Sequence, residues 1–322
     1  DGRFEPLCAV NGHDMHARRL GIEVDLALDF RFARFEPRNE SLQRRRMKLL
    51  ETFDRVQELD QRVFRLETDG KTLKQITFEP ASVEYYDVSK IDGSIVFISN
   101  NQLFTIRADG SNRAMIFDGG AKDEVNPFLN VVTNPVWSPD GKELAFSWNG
   151  EKRDNVDIYV IGEGELIPSR LTSAPQREFQ PAFSPSGRQI AFLRETAPYR
   201  AAVVVMNREG RTEAVAGQIR WARFTPPSLR WTPQEEWLVT ADLSEDGQSA
   251  CFLISTVNRV RRRLTSPPVD SRGDFAPMVS PDGRMLAFAR STGRQWKEIF
   301  VAGLDGELTP AGEPRQRQPD RP

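Results

Sequence analysis

Apolar residues in this chain fall in short runs broken by polar turn residues, and the breaks keep a period. The clearest segment is Asn134–Phe146, NPVWSPDGKELAF. Val136-Trp137 is an apolar β-forming pair, Ser138-Pro139-Asp140-Gly141 a turn, and Leu144-Ala145-Phe146 a second run. Pro139 presets φ for the first central position, Asp140 can bond its own backbone, and Gly141 tolerates φ > 0. Asp157-Ile158-Tyr159-Val160 supplies a third run and Ser169-Arg170-Leu171-Thr172 a fourth, after the break at Gly162-Glu163-Gly164. The pattern predicts four antiparallel strands, A to D.

The unit recurs. Related segments are VEYYDVSKIDGSIVF from Val83, QPAFSPSGRQIAF from Gln180, SLRWTPQEEWLV from Ser228 and APMVSPDGRMLAF from Ala276. One hydroxyl keeps the register, at Ser89, Ser138, Ser184, Thr232 and Ser280, with spacings of 49, 46, 48 and 48 residues. The C–D half returns at Val63, Gln102, Ala202, Cys251 and Glu298. Four-stranded units every 40–50 residues predict an all-β fold, a β-propeller of antiparallel blades. Each blade is completed by packing on its neighbours.

The motif W-S-P-D-G-x-x-[IL]-A-F followed by D-I-Y-V and R-L-T resembles the PD40 repeat of TolB-like propellers. Trp137–Phe146, Asp157–Val160 and Arg170–Thr172 carry the likeness, with Phe183–Phe192 and Val279–Phe288, and it covers about three quarters of the chain. The resemblance implies a ring of six or more blades and work outside the cytoplasm, in the periplasm or at the cell envelope. It leaves function open, because one fold hosts many functions. The repeat supplies five A–B hairpins against six C–D hairpins, the extra one at Val63–Thr77. The expected architecture is five full blades plus a hairpin, or a larger ring that this chain does not complete.

The domain reading is 1–60 outside the repeat, 62–309 propeller, and a Pro-, Arg- and Gln-rich tail over 310–322 that reads as disordered. Leu42, Leu49, Leu50, Phe53, Val56 and Leu59 form one stripe, predicting a helix near 40–61. Residues before it carry no stable period. Cys8 falls in that irregular stretch, and Cys251 reads as a small buried hydrophobe. No basic-then-apolar segment reads as a signal peptide, and no apolar run reaches the roughly 18 residues of a spanning helix. With 44 basic and 46 acidic residues the net charge is −2, which argues against a polyanion surface, so nucleic acid is not an expected partner. The run Arg259-Val260-Arg261-Arg262-Arg263 reads as a solvated outer strand.

Catalytic chemistry finds little support. Propellers of this type precede the catalytic domain of prolyl-oligopeptidase-like peptidases, but no G-x-S-x-G elbow occurs and no histidine follows His16. His13 and His16 stand at i, i+3 without a third ligand, so no metal or cofactor is expected. Paired carboxylates would serve a glycosidase or lyase, but Asp69, Asp92, Asp109, Asp140, Asp282 and Asp305 sit where turns need them.

Binding remains. Repeat alignment places Tyr85, Asn134, Gln180, Ser228 and Ala276 just before strand A, directed at the axial funnel, with Glu84, Glu124, Asn126, Glu178, Arg230, Asp270 and Asp274 around them. The expected function is a non-catalytic module presenting this face to a protein, peptide or glycan, with Tyr85, Asn134, Gln180, Ser228 and Arg230 as site residues. A carbohydrate-active enzyme and the sensor half of a larger receptor are the alternatives.

Overall fold

A computed structural model describes residues 7–10, 62–66, 73–120, 131–150, 155–211, 213–222, 227–245, 247–269, 271–291 and 297–304. Every element among them is a β-strand. Blade 1 holds β1 (Leu7–Val10), β2 (Arg62–Leu66) and β3 (Leu73–Gln75). Blade 2 is β4 (Val83–Val88), β5 (Ile95–Ser99), β6 (Gln102–Ile106) and β7 (Ala114–Asp118). Blade 3 is β8 (Val132–Trp137), β9 (Glu143–Trp148), β10 (Asp157–Gly162) and β11 (Ser169–Arg170). Blade 4 is β12 (Glu178–Phe183), β13 (Gln189–Ala197), β14 (Arg200–Asn207) and β15 (Glu213–Arg220). Blade 5 is β16 (Leu229–Trp231), β17 (Trp237–Leu243), β18 (Ser249–Ser255) and β19 (Arg261–Arg263), and blade 6 is β20 (Gly273–Val279), β21 (Met285–Ser291) and β22 (Lys297–Gly303). Neighbouring strands within each blade are antiparallel, and one parallel bridge, Ser249 with Gly273, joins blades 5 and 6.

The hairpin at Val63–Thr77 therefore has company. β1 pairs antiparallel along β2, with Cys8 opposite Phe64, and takes the place a strand B would hold. Leu7–Val10 carries no turn motif of the repeat, so only pairing reveals it. The helix expected near 40–61, the tail from 310 and the last D strand lie outside the described residues.

Cores sit between blades. The L-A-F run of strand B shows how. Phe146 faces blade 2, packing with Val96, Ile98 and Leu103, while Ala145 faces blade 4, packing with Ile190 and Phe192. Phe192 turns back to blade 3 and Ala191 forward to blade 5. Alternation along a strand sends successive side chains to opposite faces, so a large residue meets a small one at each interface. Five such cores join the six blades in sequence, from Val63 and Ile76 against Phe97 to Val239 and Leu253 against Phe288.

The turn hydroxyls are buried; those of the four serines bond within their hairpins, while Thr232 Oγ1 in blade 5 has no hydrogen-bond partner among the described residues. Ser138 Oγ accepts from Glu143 N at 2.9 Å and donates to Asp140 Oδ1 at 2.6 Å, and Ser280 repeats this with Met285 and Asp282. Successive turns touch. A Cβ on Gly141 would lie 3.3 Å from Ile91, and one on Gly187 3.7 Å from Pro139, each a residue of the preceding blade's turn. In blade 5 Glu235 takes the glycine position at φ 59°, and its carboxylate accepts from Ser186 N and Ser186 Oγ of blade 4. The threonine ending strand D brackets strand C: Thr77, Thr172 and Thr265 Oγ1 accept from Val63, Ile158 and Cys251 N at 2.8, 2.9 and 3.0 Å.

Candidate functional site

Strands β4, β8, β12 and β16 pack in that order, one on the next, as the inner edges of blades 2 to 5. The positions aligned four residues before the turn hydroxyl are special in backbone. Asn134, Gln180 and Ala276 have φ of 54°, 57° and 47°, and the ladder skips there between Thr133 and Val136, Phe179 and Ala182, and Phe275 and Met278. Each precedes a proline: Pro135, Pro181 and Pro277. Proline cannot donate to a ladder and settles at edges or bulges, so the x-Pro dipeptide marks the bulge. In β4 a register shift falls between Val83 and Tyr85.

Two residues nearer the turn, the same repeat position carries Asp87 in blade 2 and Arg230 in blade 5. Arg230 Nη1 donates to Asp87 Oδ1 at 3.1 Å, and Trp137 N donates to Asp87 Oδ2 at 2.9 Å. Because β8 and β12 stand between β4 and β16, this pair is a chord across the arc of inner strands. The Arg230 side chain keeps 33% of its surface and Asp87 11%. Tyr85 lies two residues along β4 on the Asp87 face, its ring against the blade 2–3 core. Burial, then the Glu84 charge, pushes its phenol upward, against the opposing pull of Arg177 in blade 4. Ser228 flanks β16, and its buried Oγ finds no hydrogen-bond partner. Asp87 was not among the expected site residues; its place opposite an arginine at the same repeat position was the available signal.

Two residues expected around the funnel are elsewhere. Glu178 and Asp274 are fully buried. Arg194 Nε meets Glu178 at 2.6 Å, and Arg290 grips Asp274 through two bonds of 2.5 and 2.8 Å. Val83 and Val132 occupy the same repeat position, so it points into a blade interface and the acid needs a partner there. Glu124, Asn126 and Asp270 lie outside the described residues. The arginine run is engaged rather than merely solvated. Arg261 pairs with Asp242 at 2.6 Å and stacks 3.8 Å over Phe252, and Arg262 lies 4.5 Å over Trp237. Burial raises the Asp242 carboxyl, against the Arg220 N–H bond and the Arg261 charge. The turn carboxylates Asp92, Asp109, Asp140 and Asp282 each accept from the N–H two residues on. Among the described residues no three His, Cys, Asp or Glu side chains converge as metal ligands, and no helix is long and apolar enough to cross a membrane.

The rim of blade 4 departs most from the repeat. β13 and β14 are nine and eight residues long and end on Pro198-Tyr199. Tyr199 is 43% exposed at φ 60° and lies edge-on to Trp221, 6.3 Å between centroids; Trp221 is edge-on to Phe179 at 5.9 Å. Beside them Gln176, Arg177, Glu195, Thr196, Ala197 and Pro198 line an open cleft of about 310 Å³.

Antiparallel sheets of three or four described strands, packed one on the next with their inner-edge strands in a row, define a β-propeller. The match to the TolB beta propeller domain model over residues 115–309 settles the family: the chain belongs to PD40. It is 26% identical over 208 residues to an uncharacterized peptidase, YuxL, of Bacillus subtilis, covering 52% of this chain and 30% of that one. It is 25% identical over 190 residues to the Tol-Pal system protein TolB of Francisella tularensis subsp. holarctica, covering 58% and 42%. The chain thus spans less than half the length of these relatives. Among solved structures it resembles a putative TolB from Agrobacterium tumefaciens, with a TM-score of 0.58 at 17% identity over 73% of this chain and 82% of that one.

Proposed function

We propose that this chain is a non-catalytic binding propeller that receives a protein or peptide partner on its axial face, outside the cytoplasm at a bacterial envelope. The observation that carries the reading is the Asp87–Arg230 pair: it brings repeat-equivalent side chains of blades 2 and 5 within 3.1 Å, so this level of the inner strands converges on one place. On this reading Asn134 and Gln180, two residues along their strands from that level, offer a partner segment amide and bulged backbone groups, and Tyr85 and Ser228 take the same repeat position. A few polar groups converging in a depression are the usual make-up of a recognition site. The family relationship supports the reading, since a Tol-Pal system protein is among the relatives. The test is recovery of partners from an envelope extract with intact protein and with Asn134, Gln180 and Arg230 changed to Ala. Loss of a specific band in the variant is expected, and equal recovery removes the axial face from the function.

A further inference from the structure

We infer that the rim of blade 4 is a second docking surface, for an extended, proline-containing peptide segment that carries carboxylates. The inference rests on the reading of the chain as a protein-binding propeller and adds a place and a partner chemistry. Phe179, Trp221 and Tyr199 stand in sequence, each ring nearly perpendicular to the next at interplanar angles of 71° and 81°. The rings touch edge to face, and Tyr199, 43% exposed, adds an aromatic surface next to the cleft that its neighbour Pro198 lines. Proline-rich segments dock on aromatic surfaces, because their extended helix is already formed and loses little entropy. Tyr, Trp and Arg are also the residues that most often dominate interface energies. Tyr199 is held outward in a left-handed conformation at the tip of the longest hairpin in the described fold. The ladder between β13 and β14 skips between Glu195 and Ala197, so the cleft floor is irregular at Thr196.

Charge selects the acidic form of that peptide. Arg200 stands directly opposite Arg220 across β14 and β15, both exposed, and like charges in that position destabilise a sheet. Arg220 donates from its side chain to Leu243 O at 3.0 Å and from its backbone N to Asp242 Oδ1 at 2.8 Å, and Asp242 is shared with Arg261. Arg200 has no carboxylate partner among the described residues. Arg177 and Glu195 in the cleft are 3.6 Å apart, and Arg177 keeps 56% of its surface. A carboxylate entering here relieves the Arg200–Arg220 repulsion and finds Arg177 open to a second partner.

Isothermal titration of the purified chain with acetylated (Pro-Glu)4, (Pro-Lys)4 and (Gly-Glu)4 peptides tests this. (Pro-Glu)4 is expected to bind at least about tenfold more tightly than the other two, and Tyr199→Gly and Arg200→Glu each to weaken it about tenfold, the usual loss at an anchoring side chain. Glycine suits the φ of Tyr199, and Arg200→Glu keeps the backbone, so one variant serves if the other misfolds. Asp282→Asn, in a turn between strands A and B, leaves binding unchanged. No saturable binding, equal binding of the three peptides, or full affinity in both folded variants overturns the inference. Binding of cellohexaose that the same variants abolish also overturns it, in favour of a glycan. If envelope partners are still captured through the axial residues while (Pro-Glu)4 fails, the blade 4 surface is wrong and the axial reading stands; if capture fails and (Pro-Glu)4 binds, the reverse holds.

Discussion

Gly273→Ala isolates a very tight backbone approach between blades 5 and 6. Gly273 has φ 111°, and a Cβ there would sit 2.3 Å from Ser249 O, 2.7 Å from Ser249 N and 2.9 Å from Ser249 C. All three atoms are backbone in β18, so no side chain can swing away. Relief requires β20 to retreat from β18, and that opens the Leu253–Phe288 core between blades 5 and 6. The conformational penalty alone is about 1–3 kcal/mol, and overpacking adds about 1–3 kcal/mol. Gly164→Ala is the control: φ is 79° but nothing lies within 4 Å of its Cβ. It keeps a left-handed penalty of about 1–2 kcal/mol, reduced by the about 0.4–1 kcal/mol gained from a stiffer unfolded chain. Urea unfolding followed by tryptophan fluorescence and far-UV circular dichroism should therefore show Gly273→Ala less stable than Gly164→Ala by about 2 kcal/mol or more. Equal losses for the two variants would refute the claim that backbone proximity, rather than φ, fixes glycine at 273.

Arg290→Met leaves Asp274 charged and buried without its bidentate partner, and chemical denaturation should register a loss of about 3–5 kcal/mol. The double change Asp274→Asn with Arg290→Met should recover a large part of it; a double variant as unstable as the single one contradicts the pairing argument. Thr172→Val strands the N–H of Ile158 in the core of blade 3, for a loss of about 1–3 kcal/mol in the same assay. Hydrogen bonds from Ser138 and Ser280 hold Asp140 and Asp282 below the usual carboxylate range. A depressed folded pKa contributes stability that is present above the unfolded value of about 3.9 and is lost as pH falls through the folded value. The Asp140→Asn, Asp282→Asn protein should accordingly lose less stability than wild type between neutral pH and acid, and parallel acid-unfolding curves would count against it.

The repeat made the fold legible because each of its residues answers a local demand. Ser138 and Asp140 must bond within the hairpin, Gly141 must turn, and Thr172 must reach Ile158 N. Such constraints act within about a dozen residues and so show as a motif. What was illegible acts at long range. The partner of Arg230 is 143 residues away. Leu7–Val10 pairs with a strand 52 residues later, counted from Val10 to Arg62, and has no turn of its own. Glu178 and Asp274 looked like funnel residues because their charge was read without their register; Val83 and Val132 at the same position point to burial.

The same contrast locates function. Where a repeat residue is replaced, the substitute either repairs a packing demand or serves something outside the blade. Glu235, in a glycine position, repairs: its carboxylate is spent on the turn of blade 4. Arg290 and Arg194 repair, since a buried acid lies under each. Asp87 and Arg230 satisfy each other but only across the arc, which no single blade requires. Tyr199 and Arg200 answer less of an internal demand: Tyr199 touches Trp221 but stays 43% exposed at φ 60°, and Arg200 stands opposite Arg220 in the ladder without a carboxylate partner among the described residues. Strain and like-charge pairing are costs that packing within blade 4 does not offset. A partner that covers the ring and neutralises the guanidinium supplies the offset, and that is the physical reason to look for it at this rim before any other part of the surface.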